Sequence, residues 1–155
     1  NEERREKFVF SEPFMQNKTV IFVKKGHEFK FEKLEDLKGK KLVKTLGASF
    51  GAEFDNYAKD NINIVENTVG KEAMFKMLDV NRVDGVLNDY NDGMAFLKKN
   101  DLSNFTVLKK PVNSVDVFLV LSKKSWLNDR LDELNKIIVK LRDSGTVNEM
   151  AQKYY

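Results

Sequence analysis

The chain has no cysteine. Disulfides, thiolate metal sites and cysteine nucleophiles are excluded, and the compartment is left open, since such a chain suits oxidising and reducing surroundings alike. Histidine occurs once, as His27 in the loop KKGHEF. A histidine-based triad or a zinc site with several imidazoles cannot be built from it, and it reads as a surface residue. No apolar run approaches the roughly 20 residues that a membrane-spanning helix needs. No basic stripe with interleaved aromatics occurs. Runs such as Lys38-Gly-Lys-Lys41 are short and the net charge is only +3, so a solvated face explains them and no nucleic-acid partner is expected. The opening NEERREKF is charged, unlike a secretory leader, and reads as the interior of a longer gene product. No cofactor and no metal are implied.

What remains is a globular composition. The 155 residues are 41% hydrophobic and 33% charged, enough for one ordinary domain or two small lobes. Along the chain, elements alternate. Thr19–Val23 is a β-branched apolar run and predicts a strand. Residues 31–41 read as a short helical turn closed by Gly39, and Leu42 and Val43 begin a strand ending near Thr45. Apolar Phe50, Phe54 and Tyr57 predict a helix over Ser49–Lys59. Ile62, Ile64 and Val65 predict a strand, Lys71–Val80 a helix, Val83–Leu87 a strand and Asp92–Lys99 a helix. Strands follow at Phe105–Leu108 and Val115–Leu121. One long amphipathic helix is expected over Trp126–Arg142, then a short one over Thr146–Tyr154 after Gly145. The alternation predicts an α/β fold with a largely parallel sheet.

Ligands of such sheets sit at the carboxyl ends of strands, beside helix N-termini. Two segments therefore matter. In the turn Thr45-Leu-Gly-Ala-Ser49, Gly47 can take a backbone conformation closed to other residues, and Ser49 is a good N-cap with outward-pointing amides behind it. An anion fits there. The Walker ending Gly-Lys-Ser/Thr and the spacing Gly-x-Gly-x-x-Gly are both absent, so a carboxylate suits it better than a nucleotide phosphate. A capped helix without ligand is the plainer reading of this turn alone. In Asn88-Asp-Tyr-Asn-Asp92, Asp89 lies just past a strand end, where an acid needs a reason. It could cap a helix over 90–98, or, with Asp92 competing for the cap, take a ligand cation. A carboxylate at one end and an ammonium at the other describe an α-amino acid.

Five strings, in order, carry a resemblance: ERREKFVFSEPF (3–14), LEDLKGKKL (34–42), TLGAS (45–49), RVDGVLND (82–89) and SGTVNEMAQKY (144–154). Together they resemble the family 3 extracellular solute-binding proteins, the polar amino-acid receptors of bacterial ABC importers, a group with the periplasmic-binding-protein type II fold. The resemblance implies two α/β lobes with mixed or mostly parallel sheets, joined by two crossing strands and closing on ligand. Residues 1–17 would be a remnant of lobe 1 with the first hinge strand, 18–112 a complete lobe 2, and 113–155 the second hinge strand and C-terminal helices of lobe 1. It implies a periplasmic or surface-attached location, a small-molecule ligand, a membrane permease as partner and no catalysis. Arg4 would grip the ligand α-carboxylate, since a guanidinium pairs bidentately with two oxygens; Arg5 would be a surface charge. The amide and hydroxyl of Ser49, in the ligand-binding turn with Gly47 and Ala48, would form the second carboxylate anchor, and Asp89 would accept the ammonium. Thr45 and Asn88 would face the ligand side chain, and Phe14 stands in place of the usual tyrosine near the first hinge. Asn1 replaces a common threonine, and Ala48 a common hydroxyl residue.

Relatives begin with a βαβαβ stretch ahead of the first string, so lobe 1 is expected to be incomplete here. Its apolar helix stripe would then be unstable or find a partner, so a fragment, a proteolysed product, a swapped dimer, or pairing with the missing N-terminal segment is expected. The competing roles are an extracytoplasmic ligand-sensing domain of a signalling protein, a dehydratase-like enzyme using Asp89 as acid-base group, and a fragment without ligand. The close at Lys153–Tyr155, with no membrane span after it, favours the receptor.

Overall fold

A computed structural model describes residues 2–154. Asn1, which stands where the resemblance expects threonine, and Tyr155 lie outside the described residues. The chain divides into two compact units, Asn1–Asn17 with Val115–Tyr155, and Lys18–Ser114.

The second unit is built on an α/β sheet. Its strands are the end of β1 (Phe8–Lys24), β2 (Lys41–Thr45), β3 (Asn63–Asn67), β4 (Gly85–Asp89) and β5 (Phe105–Val107), in the order β3-β2-β4-β1-β5. The set β3-β2-β4 is parallel, while β1 runs antiparallel to both β4 and β5. The sheet is thus mixed. Its apolar runs are continuous because both faces are covered. Along β1, Val20 and Phe22 enter one core with Val43, Val86, Met74, Phe75 and Leu78. Ile21 and Val23 enter the other, with Leu42, Leu87, Leu37, Phe54 and Ala58. The period-two alternation of a strand places neighbours on opposite faces.

The helices are α2 (Ala52–Asn61), α3 (Lys71–Asp79) and α4 (Tyr90–Lys99). The sequence predicts the second helix from Ser49, but it starts three residues later. Gly51 is its N-cap, at φ 99°, a conformation that other residues rarely adopt, and this sets the start. Helix α4 begins at Tyr90 rather than at Asp92, because Asp89 caps it. Gly93 on α4 has no side chain to spare: a Cβ there would stand 2.2 Å from Cζ of Phe22.

The first unit comprises α1 (Glu2–Lys7), the start of β1, β6 (Asn113–Ser122), α5 (Leu131–Asp143) and α6 (Thr146–Tyr154), with β6 paired to β1. The apolar pattern predicts a strand only from Thr19, and the resemblance adds a hinge strand within residues 1–17; one strand, β1, runs from Phe8. The single helix expected over Trp126–Arg142 is broken. A 3-10 turn occupies Trp126–Arg130, and α5 starts at Leu131. Ser125 accepts from the Leu127 amide at 3.3 Å, and Asn128 Nδ2 donates to the carbonyls of Ser122 and Lys123 at 3.0 and 2.9 Å. These local bonds compete with helical ones and tighten the first turn. Within the unit, Glu12 N donates to Asn135 Oδ1 at 2.8 Å, and Arg142 Nη1 donates to the Pro13 carbonyl at 3.0 Å. Phe10 and Phe118 meet edge to face at 6.1 Å.

Candidate functional site

The carboxyl ends of β2, β3 and β4 lie side by side in the second unit. Thr45 pairs with Asn67 in β3. On the other side Val43 is level with Val86, and continuing that register by two residues brings Thr45 level with Asn88. Asn88 and Asp89 are in turn opposite Val20 and Thr19 of β1. Six of the sequence-predicted site residues, Thr45, Gly47, Ala48, Ser49, Asn88 and Asp89, therefore belong to this one unit and lie at or just after the carboxyl ends of the adjacent strands β2 and β4.

The turn after β2 is closed from within. The Ala48 amide donates to the Thr45 carbonyl at 3.1 Å. Gly47 has φ 73°, which satisfies the conformational requirement read from the sequence. Lys44 Nζ donates to the Ala48 carbonyl at 2.6 Å and pairs with Glu66 at 2.9 Å. The Lys44 bond holds the Glu66 carboxyl below its ordinary value against desolvation, with the Lys44 charge and the Gly47 amide adding to it. Ser49 is not the N-cap. Its hydroxyl donates to Asp55 Oδ2, and the Phe50 amide donates to Asp55 Oδ1 at 3.1 Å. An acid of this chain thus occupies two donors of the turn.

Asp89 does two things. Its Oδ1 accepts from the Asp92 amide at 2.9 Å, which caps α4. Its Oδ2 is buried and has no hydrogen-bond partner among the described residues. Asp92 is not a competing cap. Its Oδ1 pairs with Lys71 Nζ, and its Oδ2 accepts from Asn88 Nδ2 at 3.1 Å. The sequence offers Asp92 only as a capping rival, and Lys71 and Asp55 not at all. Lys71 opens α3 and Asp92 lies in the first turn of α4, so they meet only because those two helices cover the same face of the sheet.

The remaining two candidates belong to the first unit. Arg4 is on α1, exposed; its neighbour Arg5 sets its guanidinium 5.7 Å from the Phe10 ring centroid, more than a plain surface charge. Phe14 is half-buried on β1.

The second unit thus sets an acid and a glycine-containing turn at the carboxyl ends of two adjacent strands. The profile of the bacterial extracellular solute-binding proteins, family 3, matches residues 1–155, and the chain belongs to that family. It is 26% identical over 157 residues to the L-cystine-binding protein TcyJ of Escherichia coli K12, covering all of this chain and 56% of TcyJ. It is 26% identical over 153 residues to PatH of Vibrio harveyi, assigned to an amino-acid ABC transporter as its binding protein, covering 98% of this chain and 60% of PatH. The fold is also that of the L-cystine solute receptor of Neisseria gonorrhoeae in its unliganded open form, with a TM-score of 0.76, 20% identity, and coverage of 100% of this chain and 63% of that one. The chain thus spans less than two thirds of the length of these relatives.

Proposed function

We propose that this chain binds a small amino acid, without turnover, as part of the substrate-binding component of an ABC importer, at the periplasmic or outer surface of a bacterial membrane. The observation that carries the reading is the buried, unpartnered Oδ2 of Asp89. A buried acceptor without a partner is costly, and a ligand ammonium would remove that cost. The cap bond on Oδ1 fixes the carboxylate and aims the other oxygen, so capping and ligand binding are one arrangement rather than alternatives. The turn Thr45–Ser49 supplies the complementary end. With the Ser49 hydroxyl given to Asp55, its backbone amide is the donor offered to a ligand carboxylate. Arg4 keeps the carboxylate role, and Phe14 the hinge position, on the family resemblance. The names of TcyJ and PatH support the amino-acid class and the importer. On this reading, Lys18–Ser114 is lobe 2, and the other unit is the part of lobe 1 that this chain carries.

The test is a thermal-shift screen against the twenty amino acids at millimolar concentration. A ligand at a hundred times its dissociation constant stabilises by about 2.7 kcal/mol, and one or a few amino acids are expected to do so. Asp89→Ala and Arg4→Ala should each weaken that ligand by at least about 2 kcal/mol, near thirtyfold, because each leaves a ligand charge unpaired. Equal affinity in both variants would remove the site assignment.

A further inference from the structure

We infer that Asp92 is a positioning residue for ligand selection: it fixes the Asn88 side-chain amide so that Asn88 offers an acceptor to the ligand. The selected class is then amino acids whose side chain ends in a hydrogen-bond donor, with an amide preferred to its isosteric carboxylate. This rests on the amino-acid reading above and adds the side-chain class to it.

A carboxylate only accepts. Asp92 Oδ2 lies 3.1 Å from the amide nitrogen of Asn88, so the Asn88 nitrogen must face Asp92 and its Oδ1 must face away. Turning the amide over would set two oxygens against each other. Asp92 cannot move to relieve that, because it is tied at two further points. Lys71 Nζ holds its other oxygen, and its own amide is bound to Asp89 Oδ1. The Asn88 amide is therefore oriented by a chain of bonds running from α3 through the first turn of α4. Asn88 sits at the carboxyl end of β4, one residue before the acid with the unpartnered oxygen, and level with Thr45.

What this presents is a fixed carbonyl oxygen. Its lone pairs take an N–H or O–H from a ligand and repel a carboxylate. The lysine in the network offers no attraction to an acidic side chain, since Asp92 already claims it. A fixed acceptor discriminates between isosteric groups far better than an apolar wall does, because the wrong group leaves a polar atom without a partner. Glutamine and glutamate form such an isosteric pair, and asparagine and aspartate another.

The test is calorimetric titration of the full chain with L-glutamine, L-glutamate, L-asparagine and L-aspartate, repeated on Asp92→Asn and Asp92→Ala. The wild-type chain should bind at least one amide at least about tenfold more tightly than its acid. Asp92→Asn keeps the side-chain size but supplies both a donor and an acceptor, so the Asn88 amide is free to turn and the ratio should fall to about threefold or less. Asp92→Ala, which removes the anchor, should do the same and serves if the first variant does not fold. A purely structural role for Asp92 would weaken amide and acid equally and leave the ratio unchanged, which would overturn the inference. So would a wild-type preference for the acids, or binding only of amino acids whose side chain has no hydrogen-bond donor. Binding of none of the twenty by the wild-type chain would overturn the receptor reading itself, and this inference with it.

Discussion

The two units of this chain bury their apolar side chains very differently. Among the described residues, Ile138 alone represents the buried hydrophobics in the unit of 1–17 and 115–155; all the others belong to Lys18–Ser114. The second unit has a sheet covered on both faces, with the Phe75 ring against those of Phe22, Phe96 and Phe105. The first unit exposes Trp126, Ile137, Leu141, Leu119 and Val120 by 42 to 70%. Its helix α5 is amphipathic by sequence, and Leu131, Leu134 and Ile138 do turn inward together, but the stripe is wider than the surface it meets within the unit. The contrast teaches that amphipathic pattern and burial are separate facts. A stripe states what a helix can cover, and only the neighbouring layers decide how much of it is covered.

Substitutions can break this comparison. Phe75→Ala, at a fully buried ring touching three others, should cost about 3–5 kcal/mol in denaturant unfolding followed by far-ultraviolet circular dichroism. Ile138→Ala should cost about 2 kcal/mol, the low end for a buried aliphatic, because its surroundings are partly open. Trp126 is the only tryptophan and lies in the same unit, so its fluorescence reports that transition. Ile137→Ala, one residue away but 56% exposed, should stay within about 0.5 kcal/mol. A cost for Ile137 equal to that of Ile138 would mean that the stripe is covered in solution.

The smallest effect is on pH. Glu66 is held below its ordinary value of 4.5, first by the Lys44 bond. Asp36 is held below 3.8, first by the Glu32 amide, whose donation at 2.8 Å closes the turn before Leu37. A carboxyl with a depressed folded value binds fewer protons folded than unfolded, so its contribution is complete above the ordinary value and is lost as pH falls through the folded one. Stability should therefore decline slightly below pH 4.5, and Glu66→Gln should flatten the upper part of that decline in an acid titration. An unchanged profile in that variant would remove Glu66 from the account.

Strands with both faces buried were legible because a continuous apolar run needs no knowledge of its partners. TVIFV at 19–23 is the example, although β1 starts eleven residues earlier, where half-buried residues alternate too weakly to read. Helix starts were misjudged where the deciding residue was a glycine at positive φ, as at Gly51, or where two acids competed, as at Asp89 and Asp92. The candidate site was legible as two segments, Thr45–Ser49 and Asn88-Asp89, since each follows a strand and opens toward a helix. Their place at one site was expected from the ligand chemistry and the resemblance, but the parallel β2–β4 pair that joins them was not legible, because pairing is set between strands some forty residues apart in sequence and not within either.

By itself the sequence determined what chemistry was available: no thiol, one imidazole, no membrane-length apolar helix, and acids and small residues at strand ends. It also determined the class, since the alternation of apolar runs admits little besides an α/β sheet. Only the tertiary structure decided which donors and acceptors were already spoken for. Ser49 gave its hydroxyl to Asp55, Asp92 took Lys71 and Asn88, and one oxygen of Asp89 was left without a partner. A residue's type fixes how many hydrogen bonds it can make, but which of them remain for a ligand depends on neighbours that the fold brings from elsewhere in the chain.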